Sequence, residues 1–507
     1  MHSQRGVLYL LVFLAGATTM AVEMCASRLL APYFGSSLPV WGLLIGLLLA
    51  YLAIGNLLGG RLADRHPQPR LLYGLAAWTS FLIGLIPFLS KPVLRYAVAG
   101  LTGYQAGLVL GSLLSVLVLF AAPVILLGFI SPFALRLRIE DAASSGNVAG
   151  CIYALSTAGS ILGTFITVFL LIPSLGTQRA MLVISLTLLA VATIGLLQST
   201  GRRAALYLLL FVPLLALHSC GQGRIKPTEG LVYETESAYN YIQVLRSGQD
   251  LLLKLNEGEG IQSAYRPGQV LTGYVYDYFL LVPFFRSEES SPPLDNLCLI
   301  GLAAGTSARQ YTAVFGALPM DGVEIDPAIV EVAQRFFDLH LPNLHVAIDD
   351  GRHYVAHSGE RYDVILIDAY CPPYIPFQLT TTEFFGQVHD HLTPDGVVAI
   401  NVARTEKDYA LVDAVASTLD AVFPRVYVMD THSNLNSIVV ATREDSDLST
   451  VSARLAALTD PVLQDVASRA AGRVWEFSGP YREALTDDHA PVEQIVHGMV
   501  ARYLLGH

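Results

Sequence analysis

Six long apolar segments in the first 220 residues constrain this chain more than any other feature. A helix needs about 20 apolar residues to cross a bilayer core of roughly 30 Å, and these segments meet or approach that length. They predict a multi-pass α-helical membrane domain over residues 1–220. The segments are residues 6–26, 40–58, 71–89, 106–135, 148–172 and 180–197.

Two details qualify that prediction. The fourth segment contains Pro123 and Pro132, and proline inside a helix removes a hydrogen bond, so we expect a kink or tilt there. A seventh apolar stretch, residues 204–217, has only 14 residues, a length more typical of an interfacial or buried helix. We therefore expect six spans, with the seventh stretch lying in or near the interface.

The basic residues in the short loops predict the orientation. With the N-terminus inside, eight arginines face the cytoplasm and four basic residues face out, which the positive-inside rule favours. Six spans then place the C-terminal half in the cytoplasm, whereas a seventh would move it to the other side. The expected location is the cell (inner) membrane, with a cytoplasmic C-terminal domain.

The charge is divided unevenly between the two halves. Residues 1–220 carry 12 Lys and Arg against 4 Asp and Glu, whereas residues 221–507 carry 19 against 38. An acidic domain repels phosphate backbones and attracts cations, which makes nucleic acid a poor partner and cationic substrates good ones. Five dispersed cysteines without a CxxC pair disfavour a structural zinc site, and no metal is expected.

The sequence pattern divides the C-terminal half into two predicted parts. Residues 221–290 contain two alternating stretches around Ser247–Asp250, which predicts a small β-hairpin subdomain. From residue 291 to 507, short apolar strands alternate with helical segments, the pattern of a doubly wound, Rossmann-like (methyltransferase-type) α/β domain with a parallel sheet. The predicted strands are residues 296–302, 322–325, 344–348, 363–367 and 396–401, with later strands at 425–429 and 437–441.

Glycines and acidic residues cluster where four of these strands end. Ligands bind beyond the C-terminal ends of the strands in such a sheet, so these residues form the candidate site. They are Gly301 and Gly305 after the first strand, Glu324 at the end of the second, Asp350 and Gly351 after the third, and Asp368, Tyr370 and Cys371 after the fourth.

Each acid has a chemical rationale. Glu324 lies 19 residues after Gly305, about the spacing at which an acid reaches a ribose diol. The glycine loop is not GxGxxG, which favours a nucleoside without phosphates. Asp350 can accept a hydrogen bond from an adenine amine, and Asp368 can hold or deprotonate an amine nucleophile.

The chain resembles the spermidine synthase (polyamine aminopropyltransferase) family, specifically its membrane-integrated members. The resemblance is carried by an ordered set of motifs and is most specific between residues 320 and 385. The motifs are residues 237–244 (SAYNYIQV), 255–262 (LNEGEGIQ), 323–326 (VEID), 350–351 (DG), 362–368 (YDVILID), 379–385 (LTTTEFF) and 485–493 (LTDDHAPVE).

The resemblance implies a reaction and roles for the residues. Glu324 would bind ribose, Asp350 adenine, Gln262 the donor near its sulfur, and Asp368 would position and deprotonate the attacking amine. The reaction would transfer an aminopropyl group from decarboxylated S-adenosylmethionine to an amine or polyamine and release methylthioadenosine, without a metal. The family's soluble members associate, so the resemblance also suggests a homodimer.

The departures from the family's motifs concern the residues that would contact the amine groups of the substrates. Its GGGDGG loop reads GLAAGT here, with Ala304 in place of the aspartate, and the second aspartate of its DSSDP element falls at Cys371. Asn240 replaces the glutamine of SxYQ. Asn240, Tyr370 and Cys371 are weaker candidates for substrate contacts, and we expect a donor or acceptor that differs from the usual diamine pair.

Two other functions fit the sequence. An S-adenosylmethionine-dependent methyltransferase on the same fold would explain Ala304 and Cys371. A polyamine or adenosyl-ligand sensor or transporter in the lipid bilayer would explain Glu23, since an acid within a membrane span is a functional candidate.

Overall fold

The chain is described here by a computed structural model. It describes residues 2–34, 38–99, 107–139, 145–220, 228–256, 260–286, 294–370, 374–433, 435–445 and 447–504. These residues divide into two compact units, Met1–Pro227 and Thr228–His507.

The described part of the N-terminal unit consists of helices joined by short connections. Its elements are α1 (His2–Phe34), α2 (Leu38–Arg65), α3 (Pro69–Ala99), α4 (Gly107–Gly128), α5 (Ile130–Arg138), α6 (Ser145–Ile166), a π-helical turn (Thr167–Leu171), α7 (Ile172–Leu175), α8 (Thr177–Thr200), a 3₁₀ helix (Gly201–Leu210) and α9 (Phe211–Cys220).

Six stretches of this described part are long and apolar enough to cross a membrane, as the sequence predicts. They are Arg5–Ala31, Val40–Arg65, Pro69–Leu94, Leu113–Arg138, Ser145–Leu175 and Thr177–Thr200. Ala204–Leu217 remains a shorter apolar segment. The fourth span is interrupted at Phe129, between α4 and α5. The interruption lies three residues before Pro132, which has no backbone N–H to donate the regular helical hydrogen bond to the preceding turn.

Small residues bring α1 and α6 into close contact. A Cβ atom at Gly159 would overlap the backbone carbonyl oxygen of Phe13, and one at Gly163 would overlap that of Ala17. The hydroxyl of Ser160 donates a hydrogen bond to the carbonyl of Gly16 at 3.1 Å. Glycines thus let the two backbones touch, the arrangement that small-xxx-small patterns produce between apolar helices.

The C-terminal unit contains two sheets and their flanking helices. Its elements are β1 (Leu231–Glu236), β2 (Tyr241–Ser247), β3 (Asp250–Leu255), β4 (Ser263–Tyr265), a 3₁₀ helix (Val275–Phe285), β5 (Leu297–Ile300), α10 (Thr306–Phe315), β6 (Met320–Glu324), α11 (Pro327–Phe336), β7 (Leu344–Ile348), α12 (Gly351–His357), β8 (Tyr362–Ile367), a 3₁₀ turn (Phe377–Leu379), α13 (Thr382–Asp390), β9 (Leu392–Ala403), α14 (Ala410–Asp420), β10 (Arg425–Asp430), β11 (Asn436–Thr442), α15 (Leu448–Ala456), α16 (Pro461–Ala470), β12 (Val474–Glu476) and α17 (Val492–Leu504).

The larger sheet has eight strands in the order β12-β10-β11-β9-β8-β5-β6-β7. The five strands from β9 to β7 in this order are parallel, as the sequence predicts, but β11 is antiparallel to β9, and β10 pairs antiparallel with both β11 and β12. The prediction of a parallel sheet is therefore wrong for β10 and β11, and β12 was not predicted. The apolar runs of β10 and β11 are buried on both faces like those of the parallel strands, so their pattern does not reveal direction.

The smaller sheet is antiparallel in the order β1-β2-β3-β4, and its β2–β3 hairpin matches the prediction. Its core is continuous with that of the larger sheet, because Ile242 and Val244 belong to the same buried cluster as Leu299 and Leu366. This continuity shows that the hairpin subdomain packs against the larger sheet within the C-terminal unit. The domain boundaries drawn at residues 220 and 290 remain a prediction.

Candidate active site

A cavity of about 320 Å³ opens at the C-terminal ends of the parallel strands. Its lining includes eight of the residues singled out in the sequence, and we refer to it as the strand-end pocket. Those eight residues are Asn240, Gln262, Gly301, Glu324, Asp350, Gly351, Asp368 and Tyr370. The size lies within the range of small-molecule sites.

The glycine loop after β5 brings backbone close to backbone. Gly301 has a φ of +89°, and a Cβ atom at this position would overlap the carbonyl oxygen of Asp368. Gly305 has a φ of +75° and is the N-cap residue immediately before α10. An added Cβ there would meet Leu339, and Gly305 is not among the residues that line the strand-end pocket. The loop therefore uses Gly301 at the pocket and Gly305 to turn the chain into the helix.

Glu324 ends β6 and stabilises the glycine loop. It is 7% exposed, and its carboxylate accepts hydrogen bonds from the backbone N–H of Ala303 at 2.9 Å and of Asp326 at 3.1 Å. Burial raises the pKa of Glu324 to about 7, although both backbone hydrogen bonds lower it. Each carboxylate oxygen retains acceptor capacity for a ligand hydroxyl.

Asp350 caps the helix at the next strand end. Its carboxylate accepts hydrogen bonds from the backbone N–H of Arg352 at 2.9 Å and of His353 at 3.1 Å, where α12 begins with Gly351. Both bonds go to Oδ1, which leaves Oδ2 as an acceptor for a ligand. A carboxylate at a helix N-terminus is also favoured by the helix dipole.

Asp368 follows β8 and is held by a residue from the neighbouring strand. Nδ2 of Asn401, in β9, donates a hydrogen bond to Oδ1 of Asp368 at 2.9 Å. Nδ2 of Asn436, in β11, donates in turn to Oδ1 of Asn401 at 3.0 Å. Burial raises the pKa of Asp368 to about 6, and the hydrogen bond from Asn401 acts in the opposite direction.

Two tyrosines lie beside this carboxylate. The hydroxyl of Tyr370 donates to the backbone carbonyl of Asn401 at 3.0 Å, and the hydroxyl of Tyr276 donates to that of Ile261. Burial raises the pKa of both phenols, and the negative charge of Asp368 raises each of them further. Gln262, Tyr276 and Asp368 also line a narrow inner cavity that continues from the pocket.

The hairpin subdomain is joined to the pocket through Asp326. Asp326 is fully buried, and its Oδ2 accepts hydrogen bonds from the hydroxyl of Ser237 at 2.5 Å and from Nδ2 of Asn240 at 3.0 Å. Asn240 also accepts a hydrogen bond from Nδ2 of Asn256 at 2.9 Å. Asn240 therefore lines the pocket, while its side-chain amide forms part of the hydrogen-bonded link between the two sheets.

The remaining candidates lie elsewhere. Glu23 is buried within the first span of the N-terminal unit, and Cys371 falls outside the described residues. The sequence did not lead us to predict Asn401 or Tyr276 as site residues. The signal for Asn401 was present, since it ends the fifth predicted strand as the acids end the others. Among the described residues, no group of three or more His, Cys, Asp and Glu side chains could hold a metal ion.

The fold and the pocket together define a Rossmann-like α/β domain of the methyltransferase type, with acids at consecutive strand ends. Residues 318–442 match the spermine/spermidine synthase domain family. The chain is 36% identical over 194 residues to a probable polyamine aminopropyl transferase of Bifidobacterium longum, an alignment that covers 38% of the chain and 42% of the relative.

Two further relatives are covered over most of their length. The chain is 30% identical over 230 residues to the polyamine aminopropyltransferase of Vibrio vulnificus, covering 43% of the chain and 71% of the relative. It is 26% identical over 431 residues to that of Mycobacterium tuberculosis, covering 78% of the chain and 77% of the relative. The chain belongs to the spermidine synthase (polyamine aminopropyltransferase) family, a family of transferases.

Proposed function

We propose that this enzyme transfers an aminopropyl group from decarboxylated S-adenosylmethionine to an amine and releases methylthioadenosine. The observation that carries the proposal is the half-buried Asp368, oriented by Asn401, at the meeting point of the strand-end pocket and the inner cavity. A base at that position can bind an attacking amine, while the other acids hold an adenosyl group.

The proposed binding mode assigns the strand-end pocket to the adenosine part of the donor. Glu324 would accept hydrogen bonds from the ribose hydroxyls and Asp350 from the adenine amine through its remaining oxygen. Gln262 would lie near the sulfonium, because it lines both cavities. The propyl carbon that is attached to the sulfonium sulfur would then face Asp368.

The proposed reaction is a direct displacement. The amine nitrogen forms a bond to the propyl carbon attached to sulfur, the carbon–sulfur bond breaks, and its electron pair remains on sulfur as a neutral thioether. Asp368 takes the proton that the amine loses. A sulfonium is already a good leaving group, so the protein contributes alignment and proton removal.

The residues that would contact the amine include two acids fewer than the family's motifs imply, because Ala304 and Cys371 stand where the family has aspartates. Ala304 is fully buried, and its backbone N–H donates to the hydroxyl of Ser263 at 3.0 Å, so no carboxylate reaches the cavity from this position. We propose that the donor or the acceptor carries less positive charge here than the usual diamine pair, because each lost carboxylate removes a charge-assisted contact.

The proposed location is a cell membrane with the catalytic unit in the cytoplasm. It rests on the six apolar spans and on the excess of arginine in the loops that would then face inward. A cysteine accessibility assay on intact cells and on inverted vesicles, with single cysteines introduced near residues 66 and 482, tests this orientation.

Product analysis tests the reaction. Purified full-length protein is incubated with decarboxylated S-adenosylmethionine and putrescine or spermidine, and adenosyl products are followed by mass spectrometry. We expect amine-dependent methylthioadenosine. Asp368→Asn should lose roughly 100- to 10,000-fold in turnover while it still binds the donor. Asp390→Asn, an exposed carboxylate at the end of α13, is the matched control and should keep wild-type turnover.

Other results would redirect or reject the proposal. S-adenosylhomocysteine formed from S-adenosylmethionine, with no methylthioadenosine from the decarboxylated donor, would establish a methyltransferase instead. Saturable binding without any product would favour a sensor or transporter. Wild-type turnover in Asp368→Asn would eliminate the assigned base.

A further inference from the structure

A second cavity, of about 400 Å³, lies wholly within the N-terminal unit. Three arginines line it, together with polar residues such as Gln68 and Gln198. We call it the arginine cavity, after Arg5, Arg70 and Arg138. No aspartate or glutamate lines it within the part of the chain that the structure describes.

The arginine cavity lies where four spans end on one side of the helical unit. Arg5 begins the first span and Pro69 the third, while Arg138 ends the fourth and Thr200 the sixth. In a chain that crosses six times, these four ends fall on the same side of the membrane. Their convergence around a single cavity agrees with that topology and places the cavity at the depth of the lipid headgroups.

One of the cationic side chains is held in place. Nε of Arg138 donates a hydrogen bond to the hydroxyl of Tyr9 at 3.2 Å, and its guanidinium lies 5.6 Å from the centre of the Tyr9 ring. Gly195 permits the ring of Tyr73 to pack into the wall, because a Cβ atom there would overlap that ring. The cavity is thus shaped by packing as well as lined by charge.

We propose that the arginine cavity binds the phosphate of an anionic phospholipid headgroup. Guanidinium groups match phosphate oxygens with paired hydrogen bonds, and basic pockets between membrane helices at the interface are suited to anionic headgroups. Leu8 and Leu137 add apolar surface to the same cavity, which suits a phosphate attached to a glycerol and acyl chains better than a free ion.

Lipid binding to the purified full-length protein tests the proposal. The delipidated protein is mixed in neutral detergent with phosphatidylglycerol or phosphatidylcholine, and bound lipid is measured by native mass spectrometry. We expect preferential retention of phosphatidylglycerol. Arg70→Gln should lower its affinity about fivefold, the effect of one basic residue near an anionic lipid. Arg70 is exposed, so its replacement leaves packing intact.

Arg61→Gln is the matched control. Arg61 is exposed, lies near the end of the second span and does not line the cavity. Its replacement by Gln therefore removes the same charge from the same side of the helical unit. Equal losses in Arg61→Gln and Arg70→Gln, or no loss in either, would overturn the site. Both variants are first checked for unchanged size-exclusion profiles and for unchanged donor binding.

Inorganic phosphate distinguishes the two sources of the anion. If millimolar phosphate fails to displace phosphatidylglycerol, the lipid assignment is supported. If phosphate alone raises the thermal stability of the wild type but not of Arg70→Gln, and phosphatidylglycerol is not retained, the lipid assignment is overturned in favour of a free phosphate.

Discussion

Asn401 donates a hydrogen bond to Oδ1 of Asp368 at 2.9 Å, and this contact joins the ends of two neighbouring parallel strands. It engages Oδ1 of the carboxylate, and Oδ2 is the oxygen that we propose receives the proton of the amine. It also favours the charged form of this carboxylate, and so acts against burial, which raises the pKa of Asp368 to about 6.

The first prediction concerns the pH dependence of this carboxylate. Because the base must be deprotonated, kcat/KM should rise with pH through a midpoint near the pKa of Asp368, about 6, and rise again near pH 7 as Glu324 ionises. Asn401→Leu removes a hydrogen bond that favours the charged form, so its midpoint should move to higher pH. The measurement is kcat/KM against pH for both proteins.

Asn436→Leu provides the graded comparison for that experiment. It removes the partner of Asn401 but leaves the amide that faces Asp368, so its midpoint should lie between the other two. A lower rate in Asn401→Leu at all pH values, with an unshifted midpoint, would assign Asn401 a purely structural role.

The second prediction concerns donor affinity. Glu324→Gln should weaken binding of decarboxylated S-adenosylmethionine roughly 10- to 100-fold, because hydrogen bonds to a charged acceptor contribute about 1.5–3 kcal/mol each. Turnover at saturating donor should fall much less. Isothermal titration with donor measures the affinity of the full-length protein in detergent.

Glu331→Gln is the control for this substitution. Glu331 lies on the exposed face of α11, a few residues after Glu324, and undergoes the same change of charge. Its donor affinity should match that of the wild type. An equal loss in both variants would point to the overall charge of the domain and not to a ribose contact.

The third prediction separates backbone strain from steric overlap at the glycine loop. Gly301 and Gly316 both have positive φ, +89° and +82°, and alanine should be strained at each by about 1–2 kcal/mol. Only at Gly301 does the added Cβ meet another group, the carbonyl of Asp368, whereas nothing lies within 4 Å at Gly316.

We therefore expect both variants to lower the thermal midpoint of the C-terminal unit, with Gly301→Ala the more damaging. Only Gly301→Ala should also abolish measurable donor binding, because it displaces the strand end that carries Asp368. Thermal unfolding and donor titration are compared for the two proteins. Retained donor binding in Gly301→Ala would show that the loop can move without loss of the pocket.

The fourth prediction concerns the N-terminal unit. Gly159→Leu places a side chain against the backbone of α1 and should destabilise the helical unit or prevent its folding, since overpacking typically costs about 1–3 kcal/mol or more. Gly150→Leu is on the same helix, where nothing lies within 4 Å, and should be tolerated. Expression level and monodispersity in detergent report the difference, and equal behaviour of the two would contradict the close α1–α6 contact.

The strand ends could be read from the sequence because apolar runs and the polar residues that follow them are local features. Glu324, Asp350 and Asp368 were found in this way, and the structure brings them to one pocket. Asn401 obeys the same rule but carries no charge, so its role emerges only from the strand order that places β9 beside β8. Homodimer formation and the roles of Glu23 and Cys371 remain predictions.

The sequence by itself determined the six apolar spans, the β2–β3 hairpin and the strand-end acids, because hydropathy, alternation and turn chemistry act over short distances. Only the tertiary structure decided that Asn240 binds Asp326, that Gly305 turns the chain outside the pocket, and that three arginines from separate spans share one cavity. These relationships depend on which elements become neighbours, and long-range packing settles that outcome.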